Sequence, residues 1–169
     1  MTILETPRLI LREFRSDDAD HLALILSDPE TMRFYPAPFD RAGVEDWISR
    51  NLRRYQEHGH GLWAMLLKST GKLIGDCGLT VQDVDGQNEI EIGYHVRRDL
   101  WGHGVATEAA GACRDFGFAH LSVERIISLI RPANLASRRV AKKNGMAVWK
   151  EVMWKNLSHL VYTIRREQA

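Results

Sequence analysis

The 169-residue sequence contains only two cysteines and five prolines. Cys77 and Cys113 have no metal-ligand spacing, and nothing at the start of the chain resembles a signal peptide. No apolar run approaches the roughly 18 to 20 residues that cross a bilayer. These absences argue against a disulfide scaffold, a cysteine-based metal site and a membrane partner. We therefore expect a chain that works in a reducing, cytoplasmic setting.

The sequence also lacks an excess of charge of either sign. Its 23 Lys and Arg residues nearly balance 22 Asp and Glu residues, so nothing draws the whole chain to nucleic acid, and we expect no direct contact with it. A content of 44% hydrophobic and 27% charged residues is typical of a globular domain with a real core. With no repeat, low-complexity tract or linker, the sequence predicts one domain over residues 1–169.

Hydrophobic periodicity predicts a mixed α/β domain. A helix capped by Ser16 follows the first strand, and Asp40 caps a second helix that stops at Gly59. Two segments are interpreted as connections, residues 32–40 and 152–158. Three consecutive strands in the middle of the chain are expected to be antiparallel. The predicted strands are 8–14, 62–68, 72–81, 88–96, 123–130 and 159–166, and the later helices are 107–120 and 136–144.

One short stretch, LWGHGVATEA at 100–109, places Gly102 and Gly104 just before a helix. Free N–H groups at a helix start, approachable where side chains are absent, form an anion site. The stretch lacks the Lys-Ser/Thr pair of a P-loop and the third glycine of a dinucleotide fingerprint. A backbone site for a pyrophosphate remains, beside the simpler interpretation that the glycines only permit a tight turn.

Here the sequence resembles the GNAT superfamily of N-acyltransferases, and within it the RimJ/RimL-type ribosomal-protein N-terminal acetyltransferases. The superfamily motif Gln/Arg-x-x-Gly-x-Gly/Ala matches Gly104 and Ala106, while Trp101 departs from its first position. The resemblance implies a GNAT fold, with a mixed, mostly antiparallel central sheet flanked by helices. Further stretches resemble that branch in order and spacing: TPRLILR 6–12, GLTV 78–81, EIGYHV 91–96, ATEA 106–109 and NLASRRVAKKNG 134–145.

The resemblance also implies acetyl-CoA as cosubstrate and no metal. The backbone of 102–107 would hold its pyrophosphate, and Asn134 would bind the amides of the pantetheine arm. Arg138, Arg139, Lys142 and Lys143 would screen the 3′-phosphate, or simply form a solvated helix face. The residues expected at the cosubstrate are Ile92, Tyr94, Val96, Trp101, Gly102, His103, Gly104, Val105, Ala106, Thr107, Asn134, Ser137 and Arg139.

Acetyl transfer to an amine needs a proton acceptor, and residues 88–96 offer carboxylates on one face of a strand. Glu91 matches the superfamily position of the base, and Glu89 is the second candidate on the same face. His95 could also accept a proton near neutral pH. The alternatives are a solvent-facing carboxylate and a structural histidine.

The departing thiolate needs a hydrogen-bond donor or an acid. The superfamily's usual tyrosine, seven residues after Asn134, is Ala141 here. The resemblance instead implies Ser137, whose hydroxyl would donate a hydrogen bond to the forming thiolate, unless Ser137 is only a helix cap. An oxyanion contact would come from a backbone N–H of strand 92–95.

The acceptor is expected across the sheet, against Phe34, Tyr35, Met153 and Trp154, although these apolar residues could simply pack the domain. The predicted reaction moves an acetyl group from acetyl-CoA directly to a primary amine, without a covalent cysteine intermediate. The favoured acceptor is a protein or peptide N-terminal α-amine. The alternatives are a small amine (amino acid, polyamine or antibiotic) and a non-catalytic acyl-CoA-binding protein. Either a monomer or a homodimer is compatible with the sequence.

Overall fold

The structure is a computed structural model that describes all residues, 1–169, and builds one eight-stranded sheet and four α-helices. None of the helices combines the length and the apolar character needed to cross a membrane. The strands are β1 Thr2–Glu5, β2 Leu9–Arg12, β3 Leu62–Leu67, β4 Leu73–Val84, β5 Gln87–Val96, β6 Arg125–Ile130, β7 Ala147–Trp154 and β8 Leu157–Arg165. The helices are α1 Ala19–Leu26, α2 Arg41–His58, α3 Val105–His120 and α4 Leu135–Lys143.

The strand order is β1-β2-β3-β4-β5-β6-β8-β7, and every neighbouring pair is antiparallel except β5 and β6. A tight turn joins β4 to β5 through Asp85 and Gly86, which both have positive φ angles, 53° and 77°. The parallel step from β5 to β6 needs a crossover, which α3 supplies. The mixed, mostly antiparallel sheet flanked by helices is thus confirmed, and its one parallel step lies at the centre.

Alternation along β3 sends side chains to two separate cores. Leu62 and Ala64 belong to the core beneath α1 and α2, whereas Trp63 and Met65 belong to the larger core beneath α3. Helix α2 begins and ends as predicted. Asp40 Oδ1 accepts a hydrogen bond from Gly43 N at 2.8 Å, and Gly59 ends the helix with a φ of 75°. The helices therefore cover both faces of the sheet.

The structure differs from the prediction at the first helix and at two strands. Ser16 lies in a short 3-10 helix and α1 begins at Ala19 after Asp18, so Ser16 is not its cap. Strands β1 and β7 were not predicted, because both are edge strands and lack a regular alternation of buried and exposed residues. The segment 152–158, predicted as a connection, is a hairpin whose turn is Lys155 and Asn156, with φ angles of 49° and 62°. Met153 and Trp154 consequently lie on β7 rather than in a loop.

Candidate functional site

The loop before α3 presents a row of unused backbone donors. Gly102 and Gly104 have φ angles of 79° and 76°, a conformation that glycine adopts without strain. Helix α3 has no side-chain cap at its N-terminus. The N–H groups of residues 102–107 donate to no acceptor in the protein. Because the positive end of the helix dipole lies at the same place, the loop is suited to a diphosphate.

Arg8, just before β2, braces this loop. Its Nε lies 2.6 Å from Glu108 Oε2 in the first turn of α3, and its Nη1 donates to the His103 carbonyl at 2.8 Å. Burial would raise the pKa of Glu108, but hydrogen bonds from Thr6 and Arg8 outweigh it and lower that pKa. The stretches TPRLILR and ATEA are therefore in contact in the folded protein. They lie about 100 residues apart in the sequence, so the contact could not be predicted from it.

Trp101 anchors the other end of the loop. Its indole Nε1 donates to the Val96 carbonyl at the end of β5 over 2.7 Å, while 40% of the residue stays exposed. His103 Nδ1 lies 2.9 Å from the Trp101 carbonyl. An aromatic anchor thus stands where the superfamily motif has Gln or Arg, and it shapes the loop through the backbone.

The start of α4 lies beside β5. Asn134 caps the helix, because its Oδ1 accepts a hydrogen bond from Ser137 N at 3.1 Å, so Ser137 is a first-turn residue and not the cap. The Tyr94 hydroxyl donates to the Ser137 carbonyl at 3.2 Å. Burial raises the pKa of Tyr94, so this phenol stays protonated at neutral pH. The Ser137 hydroxyl has no protein partner and is free to meet a ligand.

The basic side chains of α4 differ in whether they are hydrogen-bonded within the protein. Arg138 Nε donates to the Tyr162 hydroxyl at 3.1 Å and its Nη1 donates to the Pro132 carbonyl at 2.9 Å, which makes it a structural residue. Arg139, Lys142 and Lys143 are exposed. These three side chains remain as candidates for a phosphate.

The sheet opens where β5 and β6 run parallel. The two strands pair at one position, Glu91 with Ile127. One residue further along, the buried Ser128 hydroxyl donates to the Ile92 carbonyl at 2.9 Å, which ties the strands at the base of the opening. Residues 93–96 of β5 pair with β4 but not with β6, and this gap is the separation of strands that the sequence alone could not show.

Glu91 stands at this gap. Its Oε2 lies 3.3 Å from Thr80 Oγ1 and its Oε1 lies 3.4 Å from the backbone N of Leu129. Burial raises the pKa of Glu91, and hydrogen bonds together with the charge of Lys155 offset part of that rise. The carboxylate therefore holds a proton more readily than an exposed glutamate does.

Glu89, the second candidate, is engaged elsewhere. It is buried and forms a bidentate ion pair with Arg125, in which Nε lies 3.0 Å from Oε2. The Arg125 guanidinium also lies 4.1 Å from the ring centre of Trp149. Both oxygens of Glu89 are occupied by the guanidinium and are not free to meet an incoming amine, so the geometry favours Glu91.

A chain of hydrogen bonds runs from the interior to loop 32–40. His95 Nδ1 lies 2.8 Å from Asp76 Oδ1, and its Nε2 lies 2.7 Å from the Tyr35 hydroxyl. A carboxylate only accepts, so Nδ1 carries a proton and, in neutral His95, Nε2 accepts from Tyr35. Trp47 Nε1 donates to the second oxygen of Asp76 at 2.9 Å. Burial raises the pKa of Tyr35, and the charges of Glu91 and Asp76 raise it further.

Sequence reasoning named Tyr35 and His95 separately, but it missed Asp76 and Trp47. The missing information is the register of β4 and β5, which sets Asp76 directly opposite His95. Among the other predicted acceptor residues, Phe34 stacks with the Arg33 guanidinium, 4.8 Å from its ring centre, and Met153 is 70% exposed. Trp154 lies beneath the Lys155 ammonium, 4.3 Å away.

Comparison with known proteins places this arrangement in a family. Residues 8–147 match the family model described as an acetyltransferase (GNAT) domain. The chain is similar to YkkB, an uncharacterized protein of Bacillus subtilis strain 168, with 38% identity over 95% of this chain and 94% of that protein. It is also 33% identical to p20, an uncharacterized N-acetyltransferase of Bacillus licheniformis, over 89% of this chain and 84% of the relative.

A solved structure agrees with these relatives. The crystal structure of an acetyltransferase from Agrobacterium tumefaciens superposes with a TM-score of 0.84 and 26% identity, over 96% of this chain and 93% of the other. The family match covers the glycine loop, the opening of the sheet and Glu91. The chain therefore belongs to the GNAT acetyltransferase family and is an acetyl-CoA-dependent acetyltransferase.

Proposed function

We propose that this protein transfers an acetyl group from acetyl-CoA directly to a primary amine, and that the favoured acceptor is the N-terminal α-amine of a protein or peptide, as in the RimJ/RimL branch that the sequence resembles. The observation that carries the proposal is the position of Glu91. This half-buried carboxyl group, with its raised pKa, stands where β5 and β6 separate.

The cosubstrate side of the proposal rests on groups that have no other partner. The free N–H groups of 102–107 would hold the pyrophosphate, and the exposed Arg139 would meet the 3′-phosphate. Asn134 uses its side-chain oxygen as a helix cap, which leaves its NH₂ group for the pantetheine arm. When bound, acetyl-CoA supplies the activated acyl group, and the protein supplies orientation and charge stabilisation.

Glu91 accepts the proton that the amine loses as its nitrogen bonds to the thioester carbonyl carbon and the carbon–sulfur bond breaks. Its raised pKa favours an α-amine. An α-ammonium has an ordinary pKa of about 7.7 to 8.0, and a lysine ammonium has one of about 10.4. The difference between the pKa of the ammonium and the raised pKa of Glu91 is therefore smaller for the α-amine.

The departing thiolate is stabilised by Ser137. Its hydroxyl has no protein partner, and the hydrogen bond from Tyr94 to the Ser137 carbonyl fixes this turn of α4 against β5. A serine hydroxyl is too weak an acid to give up its proton, so its contribution is a hydrogen bond that strengthens as charge develops on sulfur.

Tyr35 positions the amine. Because its hydroxyl donates to His95 Nε2, the lone pairs of the same oxygen are available to accept a hydrogen bond from the acceptor N–H. His95 is held in place by the fully buried Asp76, so the phenol is fixed in one direction. Tyr35 thereby orients the nitrogen for attack.

The test is acetyl-CoA consumption with peptides that differ in their first residue and with small amines such as amino acids and polyamines. The proposal predicts turnover with peptides at a kcat/KM above that of any small amine. Turnover confined to small amines would reassign the acceptor. Binding of acetyl-CoA without turnover of any amine would instead indicate a non-catalytic acyl-CoA-binding protein.

A further inference from the structure

Three cationic side chains gather on the acceptor side of the sheet. Arg50 and Arg54 lie one helical turn apart on α2, and Lys155 lies in the turn between β7 and β8. The charges of both arginines act on Lys155, and the charge of Glu91 acts on Arg54 and Lys155. The three side chains, defined here as the basic cluster, therefore converge on the neighbourhood of Glu91.

Contacts fix the basic cluster to the hydrogen-bond chain of the site. The Arg50 guanidinium lies 5.2 Å from the ring centre of Trp47, whose own ring packs edge-on against His95 at 5.5 Å. Arg54 Nη1 donates to Asn51 Oδ1 at 3.2 Å. Helix α2 is thus packed through Trp47 against His95, the partner of Tyr35, and Arg50 lies beside the same tryptophan.

Two of the three residues in the basic cluster lack a carboxylate partner. Arg50 lies 3.0 Å from Asp46, but neither Arg54 nor Lys155 forms an ion pair. Arg54 is half-buried, and Lys155 is exposed and packs on the Trp154 ring. Burial lowers the pKa of both Arg54 and Lys155. Arginine is seldom buried without a paired anion, and Arg54 is the half-buried member of the basic cluster that lacks one. The pairing group is therefore expected to come from a ligand.

We infer that the acceptor carries an anionic group, a carboxylate or a phosphate, close to its amine, and that the basic cluster of Arg50, Arg54 and Lys155 binds it. This inference rests on the proposed function, since it names the acceptor of the same site. Glu91 does not fill the role, because a base must release its hydrogen bonds to the incoming amine. For a peptide acceptor, the anion is an acidic or phosphorylated side chain within the first few residues.

The experiment compares peptides that share a first residue and differ at the second and third positions, which are both Glu, both Gln or both Lys, together with a form that carries phosphoserine. The expected order of kcat/KM is Glu above Gln above Lys. We expect the Glu peptide to exceed the Gln peptide by about 10- to 100-fold at low salt, the range of a charge-assisted hydrogen bond. Added salt reduces this ratio.

Two variants locate the effect. Arg54→Gln and Lys155→Gln are each expected to lower kcat/KM more for the Glu peptide than for the Gln peptide, and so to remove most of the advantage of the Glu peptide. Arg53→Gln is the matched control, because Arg53 is the exposed neighbour of Arg54 and forms no ion pair. It should keep the full advantage. Thermal unfolding of each variant shows whether it folds, and Lys155→Gln changes an exposed residue of a turn.

The outcomes distinguish a failure of the basic cluster as an acceptor site from a failure of the proposed function. Equal kcat/KM for Glu and Gln peptides, or equal losses in Arg53→Gln and Arg54→Gln, overturns the basic cluster as an acceptor site while the transferase proposal stands. A phosphoserine peptide that exceeds the Glu peptide supports the inference and identifies phosphate as the anion. Absence of acetylation of every peptide and small amine overturns the proposed function itself, and this inference with it.

Discussion

Replacement of Glu91 by glutamine removes the proton acceptor and keeps the shape of the side chain. The new amide oxygen can still accept from the backbone N–H of Leu129, and Thr80 remains within reach. The expected loss in kcat/KM at pH 7 is at most the roughly 10²- to 10⁴-fold that general-base catalysis contributes. An α-amine places the loss near the lower end, because a part of the amine is already neutral at that pH.

The size of the recovery with pH identifies the amine. For an amine with a pKa of about 7.8, the neutral fraction rises from about 14% at pH 7 to about 94% at pH 9, so Glu91→Gln should regain about sevenfold and then level off. A lysine acceptor, with a pKa of about 10.4, would give a rise of about tenfold per pH unit through pH 9 without a plateau. Wild type should lose activity below the raised pKa of Glu91, because only the carboxylate accepts a proton.

The assay is a pH profile of kcat/KM for wild type, Glu91→Gln and Glu89→Gln, measured by thiol release. Glu89→Gln breaks the ion pair with Arg125 and is expected to lower the unfolding temperature more than the activity of the folded protein. Wild-type activity of Glu91→Gln at pH 7, together with loss of activity in folded Glu89→Gln, would refute the assignment and make Glu89 the base.

Glu91→Gln is also expected to stabilise the folded protein at neutral pH. The folded protein raises the pKa of Glu91, so the carboxyl holds its proton to a higher pH than in the unfolded chain. Stability attributable to this group therefore falls as pH rises through the ordinary glutamate pKa of about 4.3 and is fully lost above the raised pKa. Glu91→Gln should raise the unfolding temperature at pH 7 and change it less at pH 4. A lower unfolding temperature at pH 7 would contradict the burial argument.

Three further substitutions test other groups of the site. Gly104→Val forces a β-branched residue into a φ of 76° beside the pyrophosphate donors, and we expect it to weaken coenzyme A binding in calorimetry by about 1 kcal/mol or more; normal binding by the folded variant would refute the anion site. Ser137→Ala should lower kcat more than it weakens acetyl-CoA binding, because the bond to the thiolate is strongest in the transition state; lost stability with unchanged kcat would leave Ser137 only a structural role. Tyr35→Phe should lower kcat/KM for the amine by about tenfold with acetyl-CoA binding unchanged, and steady-state kinetics at varied amine concentrations measure it; unchanged kinetics would exclude Tyr35 from the acceptor site.

The sequence predicted those parts of the fold whose signals are local. Helix α2 has a capping aspartate at one end and a left-handed glycine at the other, so both boundaries follow from adjacent residues. The β3 to β5 meander is marked by turn residues in the same way. Edge strand β7 was not predicted because Val152 is its only buried residue, so the strand shows no alternation. Its tight turn at Lys155 and Asn156 also uses left-handed residues other than glycine.

The site residues also differ in whether their signal is local in the sequence. The glycine loop and Glu91 lie within contiguous motifs, so the sequence alone shows their pattern. The Asp76–His95–Tyr35 chain and the Arg8 brace depend on strand register and on contacts between residues far apart in the sequence. No periodicity encodes such contacts, and they became visible only when the sheet brought the segments together.

The most direct measurement uses one peptide that carries both a free N-terminal α-amine and a lysine side chain. The peptide is incubated with the protein and acetyl-CoA, and mass spectrometric sequencing locates the acetyl group while thiol release is counted in the same sample. The predicted result is one acetyl group on the α-amine for each thiol released. Acetylation of the lysine, or of neither amine although acetyl-CoA binds, would contradict the proposed function.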